Sequence, residues 1–73
     1  MYAYVFDSED QVRGVSGTTL YIVRVEGKVV VFTDKLLDYA EPVYRDDSPV
    51  TPNFELLVRK ARDIVRRLGQ RRQ

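Results

Sequence analysis

Hydrophobic and polar residues alternate along the first half of the chain in a way typical of β-strands. In residues 2–6, Tyr2, Tyr4 and Phe6 fall on one side and Ala3 and Val5 on the other. Residues 18–25 and 28–33 are rich in β-branched and aromatic residues, which favour strands. The pattern predicts three antiparallel strands, with the polar residues 7–17 as a loop after the first.

The second and third strands form a predicted hairpin around a two-residue turn at Glu26-Gly27, where glycine can adopt a positive φ. A tight turn sets the register, and both faces of the hairpin are then apolar. The expected pairs are Tyr21 with Phe32, Ile22 with Val31, and Val23 with Val30. Two apolar faces need two covers. The sequence supplies one helix, so we expect a second copy of the chain to cover the other face.

Residues 34–49 connect the hairpin to the helix. The segment 35–40 fits either an extension of the third strand past a bulge or one helical turn, and Pro42 prevents a helix from continuing. Residues 42–45 are predicted to form a short edge strand, and residues 46–49 a turn.

Thr51-Pro52 is a favourable helix start, and the helix is predicted from about Asn53 to Leu68, with Gly69 as its stop. Its apolar stripe follows three-and-four spacing. The stripe contains Phe54, Leu57, Val58, Ala61, Ile64, Val65 and Leu68, while Leu56 falls on the polar side. The fold class is therefore α+β: a three- to four-stranded antiparallel sheet followed by one C-terminal amphipathic helix (β-β-β-β-α). Residues 1–69 form the single domain, and residues 70–73 a flexible basic tail.

Composition excludes several kinds of chemistry. The 73 residues include no cysteine and no histidine, so disulfides, thiolate ligands and imidazole general bases are absent. The acidic residues at 7–10 do not match a calcium loop, because Val12 stands where that loop needs glycine. We expect no enzyme activity, no metal and no cofactor. The apolar runs are too short for a bilayer and no signal peptide is recognisable, which predicts an intracellular protein, cytoplasmic or nucleoid-associated, with no membrane partner.

The net charge of +1 conceals an asymmetry between the two parts of the chain. Residues 1–58 carry five basic and ten acidic side chains, a net charge of −5, and residues 59–73 carry seven basic side chains and one acidic, a net charge of +6. A local basic stripe can bind a polyanion. The same stripe can also be a solvated helix face that suits the negative end of the helix dipole.

The aromatic residues could contribute to binding. Five tyrosines and three phenylalanines are present, and aromatic side chains displayed on a sheet beside arginines can stack on unpaired bases. We expect Tyr21 and Phe32 to lie in the core. Tyr2 and Tyr4 are candidates either for the core or for base stacking.

The order of these elements resembles the DNA-binding domain of the positive-cofactor-four family of transcriptional coactivators. The resemblance rests on residues 20–25, the glycine–lysine entry at 27–31, and Phe54 early in the terminal helix. It implies a four-stranded sheet, one C-terminal helix, a two-fold dimer and binding to single-stranded DNA. It also implies that Arg24, Lys28 and Lys35 contact DNA and that the helix serves dimerisation. Residues 15–33 also resemble the opening strands of the nitrogenase iron–molybdenum cofactor carrier family.

These observations predict a homodimer that binds nucleic acid, single-stranded DNA above all, in transcription or DNA maintenance. The alternative is a non-catalytic protein-interaction module that docks through an apolar sheet face. Two groups of basic residues are candidates for nucleic-acid binding, together with Tyr2 and Tyr4. The hairpin group is Arg24, Lys28 and Lys35; the helix group is Arg59, Arg62 and Arg66, followed by Arg71 and Arg72 in the tail. We favour the hairpin group, because a sheet offers a stacking surface.

Overall fold

Four strands form one antiparallel sheet, and a helix follows them, in a computed structural model that describes residues 1–50 and 53–70. The elements are β1 (Tyr2–Phe6), a 3₁₀ turn at Glu9–Gln11, β2 (Leu20–Val25), β3 (Lys28–Thr33), β4 (Tyr44–Arg45) and α1 (Phe54–Gln70). The strand order across the sheet is β2-β3-β1-β4, so β2 and β4 are the edge strands. The predicted α+β fold with β-β-β-β-α order is confirmed.

The β2–β3 hairpin has the predicted register. Tyr21 lies opposite Phe32, Ile22 opposite Val31, and Val23 opposite Val30. Glu26 and Gly27 both have positive φ, 49° and 80°. This is the backbone of a type I′ turn, whose twist matches that of the flanking strands.

The segments around the hairpin differ from the prediction in detail. β2 begins at Leu20 rather than Thr18, because the backbone N–H of Thr19 donates to the side chain of Asp34 (3.0 Å) instead of continuing the ladder. The connection from residue 34 to residue 43 forms neither the strand extension nor the helical turn that the sequence allowed; it consists of bends and turns. The edge strand predicted at 42–45 is confined to Tyr44–Arg45.

The helix begins and ends later than predicted. The side chain of Asn53 accepts a hydrogen bond from the N–H of Leu56 (3.2 Å), which makes Asn53 the cap. The expected start at Thr51-Pro52 lies outside the described residues. Gly69 does not end the helix, which continues to Gln70; glycine in the final turn costs only about 1 kcal/mol relative to alanine. Residues 71–73 also lie outside the described residues.

One face of the sheet packs against α1. Its core combines apolar side chains of β1, β2 and β3 with three buried helix residues, Leu57, Ala61 and Ile64. Val58, Val65 and Leu68 are partly buried beside them, and Leu56 is exposed as predicted. Phe54 was expected in this stripe, but its side chain is 61% exposed. Phe54 lies on the flank of the helix at the edge of the sheet, whereas Leu57 in the same turn faces the core.

The second apolar face is covered by the chain itself. Tyr4, Val29 and Val31 pack with Leu37, which the 34–43 connection brings over the sheet. Val12, Tyr39 and Ala40 add further cover. Hydrogen bonds fix the two loops: the Leu37 N–H donates to the Tyr4 hydroxyl (2.8 Å), and the Tyr39 hydroxyl donates to the carbonyl of Arg13 (2.9 Å). The apolar face that suggested a second copy of the chain is therefore already covered in the single chain.

Candidate binding groove

An open groove of about 780 Å³ runs between the edge strand β2 and one flank of α1. It lies on the helix-covered side of the sheet, at the sheet's free edge. The residues that line it are Ile22, Val23, Arg24, Val25, Glu26, Phe54, Val58, Arg62 and Arg66. The four helix residues among them follow one another at intervals of four, so they form a single row along the helix surface.

The groove carries exposed apolar surface. Phe54 borders the groove, and its side chain is 61% exposed. Ile22 also borders the groove, but its side chain alternates with that of Val23 and projects from the sheet face away from α1. Val58, one turn further along the helix, is half-buried against the core. Val23 and Val25 are buried against the helix and close the bottom of the groove. A large aromatic side chain that is mostly exposed beside a half-buried valine is typical of a surface that contacts a partner.

The outer edge of β2 offers backbone groups to a partner. In a hairpin with a two-residue turn, the residues flanking the turn form a hydrogen-bonded pair, and such pairs then alternate along the strands. Val25, Val23 and Tyr21 therefore bond to β3. Ile22 and Arg24 point their N–H and C=O groups away from the sheet, as does Leu20. Within residues 1–50 and 53–70, no hydrogen bond from another segment reaches these groups.

Positive charge lines the helix side of the groove. Arg62 and Arg66 are exposed, and neither forms an ion pair with any residue in the described part of the chain. Arg24 lines the strand side, but its side chain projects from the sheet face away from α1, where it pairs with Glu9. Glu26 is the acidic side chain in the groove lining, at the turn end of β2. The two unpaired guanidinium groups make the helix side of the groove attractive to an anion.

The hairpin residues favoured for nucleic-acid binding are not gathered into one surface. Arg24 and Lys28 lie near the turn, but their side chains project from opposite faces of the sheet. Each has a carboxylate partner: Glu9 for Arg24, and Asp7, at 2.6 Å, for Lys28. Lys35 follows the far end of β3, about 17 Å or more from Lys28 at the rise of an extended strand. Any phosphate that binds Arg24 or Lys28 must compete with those carboxylates.

The two candidate tyrosines are β1 residues on the second face of the sheet, which the loops cover. Tyr4 is 1% exposed, and its hydroxyl accepts the hydrogen bond from Leu37. Its ring is enclosed by the core, so of the two positions that the sequence left open for Tyr4, the structure shows the core one. Tyr2 is half-buried and packs against the same cluster. Phe32 is fully buried and Tyr21 partly buried, in agreement with their expected place in the core.

The helix group is divided between the groove and the open surface. Arg62 and Arg66 line the groove, whereas Arg59 is exposed outside its lining. On the other flank, Arg67 pairs with Asp63 at 3.1 Å. Arg71 and Arg72 lie outside the described residues.

Asp46 connects β4, the first residue and the helix. The Tyr44 hydroxyl donates to its carboxylate (2.6 Å), as does the Ser48 N–H (2.9 Å), and the Lys60 Nζ lies 3.6 Å away. The hydrogen bond from Tyr44 is the main reason that the pKa of Asp46 is held below its ordinary value. Burial, the next largest influence, raises this pKa, and the Ser48 N–H and the charges of Lys60 and the terminal ammonium lower it further.

The groove contains two features that sequence reasoning missed. Phe54 was assigned to the core because it continues the apolar spacing of the helix, and spacing alone does not show where the sheet beneath a helix ends. The open edge of β2 was also missed, because the order of strands in the sheet depends on β1 pairing with β3 rather than on any local pattern.

Comparison with known proteins found no match among family models, curated proteins or solved structures. In the described part of the chain, no helix has both the length and the apolar character that a membrane crossing needs. Residues 1–50 and 53–70 also bring together no group of three or more side chains suited to hold a metal ion.

Proposed function

We propose that this chain is a non-catalytic protein-interaction module that takes an extended segment of a partner protein onto the open edge of β2. The observation that carries the proposal is the juxtaposition of unpaired strand-edge groups at Leu20, Ile22 and Arg24 with the exposed side chain of Phe54. An added strand gains affinity from main-chain hydrogen bonds, and the side chains on alternate positions give specificity.

The proposed docking surface is the edge of β2, whereas the sequence suggested an apolar face of the sheet. A module that docks through an apolar face needs that face uncovered, and in this chain α1 covers one face while Leu37 and Tyr39 cover the other. The edge of β2 lacks the usual protections of an exposed strand, such as a proline or a row of lysines. Docking there needs no rearrangement of the core.

Strand addition can be tested with a panel of short labelled peptides in which threonine alternates with valine and with charged residues of either sign. We expect at least one member to bind, as measured by fluorescence anisotropy. N-methylation of the alternate peptide residues whose N–H groups face β2 should abolish binding, because the donors are lost. N-methylation of the other alternate set should leave binding intact, since those groups face solvent.

On the protein side, Ile22→Pro removes an outward N–H without breaking the β2–β3 ladder. This substitution should lower the affinity for the same peptide. Ile22→Val keeps the N–H and should leave the affinity unchanged. Equal loss of binding from both N-methylated peptide sets would show that the peptide does not bind as a strand. No binding by any panel member would refute the proposal.

Single-stranded nucleic acid is the second candidate ligand. It is favoured by the exposed arginines of the helix group, Arg59, Arg62 and Arg66, which form no ion pair within residues 1–50 and 53–70. The exposed Phe54 is on the same helix, and basic surfaces with an exposed aromatic ring bind unpaired bases. Anisotropy with single-stranded and double-stranded oligonucleotides at two salt concentrations tests this candidate. Each lost phosphate contact should reduce the salt slope by roughly 0.7.

If the ligand is single-stranded nucleic acid, the helix group and not the hairpin group contacts the phosphates. Arg62→Ala should reduce oligonucleotide affinity, and Lys35→Ala should not. A larger loss from Lys35→Ala, or a double-stranded preference, would count against it.

A second copy of the chain is the third candidate for the β2 edge. Antiparallel pairing of two β2 strands centred on Ile22 would join two sheets, and it would also bring Arg62 and Arg66 of the two copies near one another. Sedimentation at low and high salt measures this homodimer directly. Dimerisation that strengthens with salt is the expected sign of that like-charge repulsion.

A further inference from the structure

The row of helix side chains along the groove changes chemistry from one end to the other. Phe54 and Val58 make its first half apolar, and Arg62 and Arg66 make its second half basic. Residues four apart on a helix are about 6 Å apart along its axis. Alternate residues of an extended strand are about 6.6 Å apart. The row and residues 22–26 of β2 line the same groove, so successive helix-facing side chains of a strand added along β2 can each meet one residue of the row.

The charges of the groove distinguish between possible partner strands. Arg62 and Arg66 have no ion-pair partner among the described residues, so a strand that carries carboxylates opposite them supplies the missing partners. Lysines at the same positions of the strand would be repelled, because they would lie beside two guanidinium groups of the same charge. Glu26 is a single opposing charge, at the turn end of the edge.

We infer that the segment bound at the β2 edge is acidic and patterned: on the side facing α1, two apolar residues at alternate positions meet Phe54 and Val58, and two carboxylates at the next alternate positions meet Arg62 and Arg66. This inference rests on the proposed function, because it assumes that the ligand is an added strand. It specifies the partner by chemistry, as an extended protein segment whose alternate residues run from apolar to acidic.

The test uses a labelled peptide whose alternate positions carry two valines and then two aspartates, with threonines between them. A matched peptide has lysines in place of the aspartates. Each peptide is also made in reversed order, because an added strand can run parallel or antiparallel to β2. We expect the better acidic peptide to bind about tenfold or more tightly than either lysine peptide. Its affinity should fall as salt is added.

Protein variants locate the charge effect. Arg62→Ala and Arg66→Ala should each lower the affinity for the acidic peptide about two- to fivefold, the range for exposed ion pairs. Arg59→Ala removes the same charge from the same helix outside the groove lining, so it should have a smaller effect. Phe54→Ala should weaken both acidic and lysine peptides, because it removes apolar contact and no charge.

The outcomes separate the two proposals. If acidic and lysine peptides bind equally and keep the alternating response to N-methylation, strand docking stands and the acidic preference is refuted. If no peptide binds, the proposed function fails and the inference fails with it. If an oligothymidylate binds with the same dependence on Arg62 and Arg66 while the acidic peptide does not, the groove is a nucleic-acid site and the inference is overturned.

Discussion

Two apolar residues in the first turn of α1 have different roles although they belong to the same stripe. Leu57 is 1% exposed and packs in the core, whereas Phe54 projects over the groove. Periodicity placed both in the core-facing stripe, which is correct for Leu57 and wrong for Phe54. It could not separate them, because burial depends on how far the sheet extends beneath the helix.

Leu57→Ala should therefore lower the free energy of unfolding by about 2–5 kcal/mol, through lost apolar contact and the cavity left behind. Phe54→Ala should change it by less than about 1 kcal/mol, since most of that side chain is already in water. Urea denaturation of the two variants measures both values. A Phe54→Ala variant as unstable as Leu57→Ala would place the ring in the core and remove it from the groove.

At the scale of elements, the hairpin was the most predictable part. β-branched residues on both sides of Glu26-Gly27 define its strands, and the turn length defines its register, which the structure confirms. The connection 34–43 was not predictable, because it contains no regular pattern. It is held over the second face by single contacts from Leu37, Tyr39 and Tyr4, which lie far apart in the sequence.

Leu37 should behave as a core residue even though it lies in a connection without regular structure. Leu37→Ala should cost about 2–5 kcal/mol of stability, and it should expose the second sheet face to hydrophobic dyes. The neighbouring Leu36 is exposed, so Leu36→Ala is the matched control and should be close to neutral. Equal effects of the two substitutions would mean that the connection does not cover the sheet as described.

The junction of β4 with α1 should respond to acid through Asp46. Its pKa is lower in the folded chain than in the unfolded chain. The carboxylate therefore contributes its full stabilisation above its ordinary pKa, and this contribution is lost as the pH falls through the lowered folded value.

Asp46→Asn should consequently be less stable than the unsubstituted protein at neutral pH, and the difference should shrink under acid conditions. Urea denaturation at a series of pH values measures the difference. Asp47→Asn, a change of the same charge at an exposed neighbour, serves as the control. A difference between Asp46→Asn and the unsubstituted protein that stays constant with pH would show that the carboxylate's charge is not responsible.

For the whole molecule, the class of fold followed from the order of patterns along the chain, but the surface available for binding did not. The sequence indicated two apolar sheet faces and one helix, which suggested that a second copy of the chain covers the other face. The irregular connection 34–43 covers that face instead. Charge asymmetry identified the basic helix correctly. Which arginines remain unpaired depends on where Glu9, Asp46 and Asp63 come to lie.

Amide hydrogen exchange, measured residue by residue, tests whether β2 presents an open edge that an added strand can occupy. In the free protein, the N–H groups of Leu20, Ile22 and Arg24 should exchange rapidly, while those of Tyr21, Val23 and Val25 should be protected by their bonds to β3. The acidic valine–aspartate peptide should slow exchange at the first three and leave the others unchanged. Protection of all six amides in the free protein would contradict the claim, as would a bound peptide that leaves the outward amides exchanging rapidly.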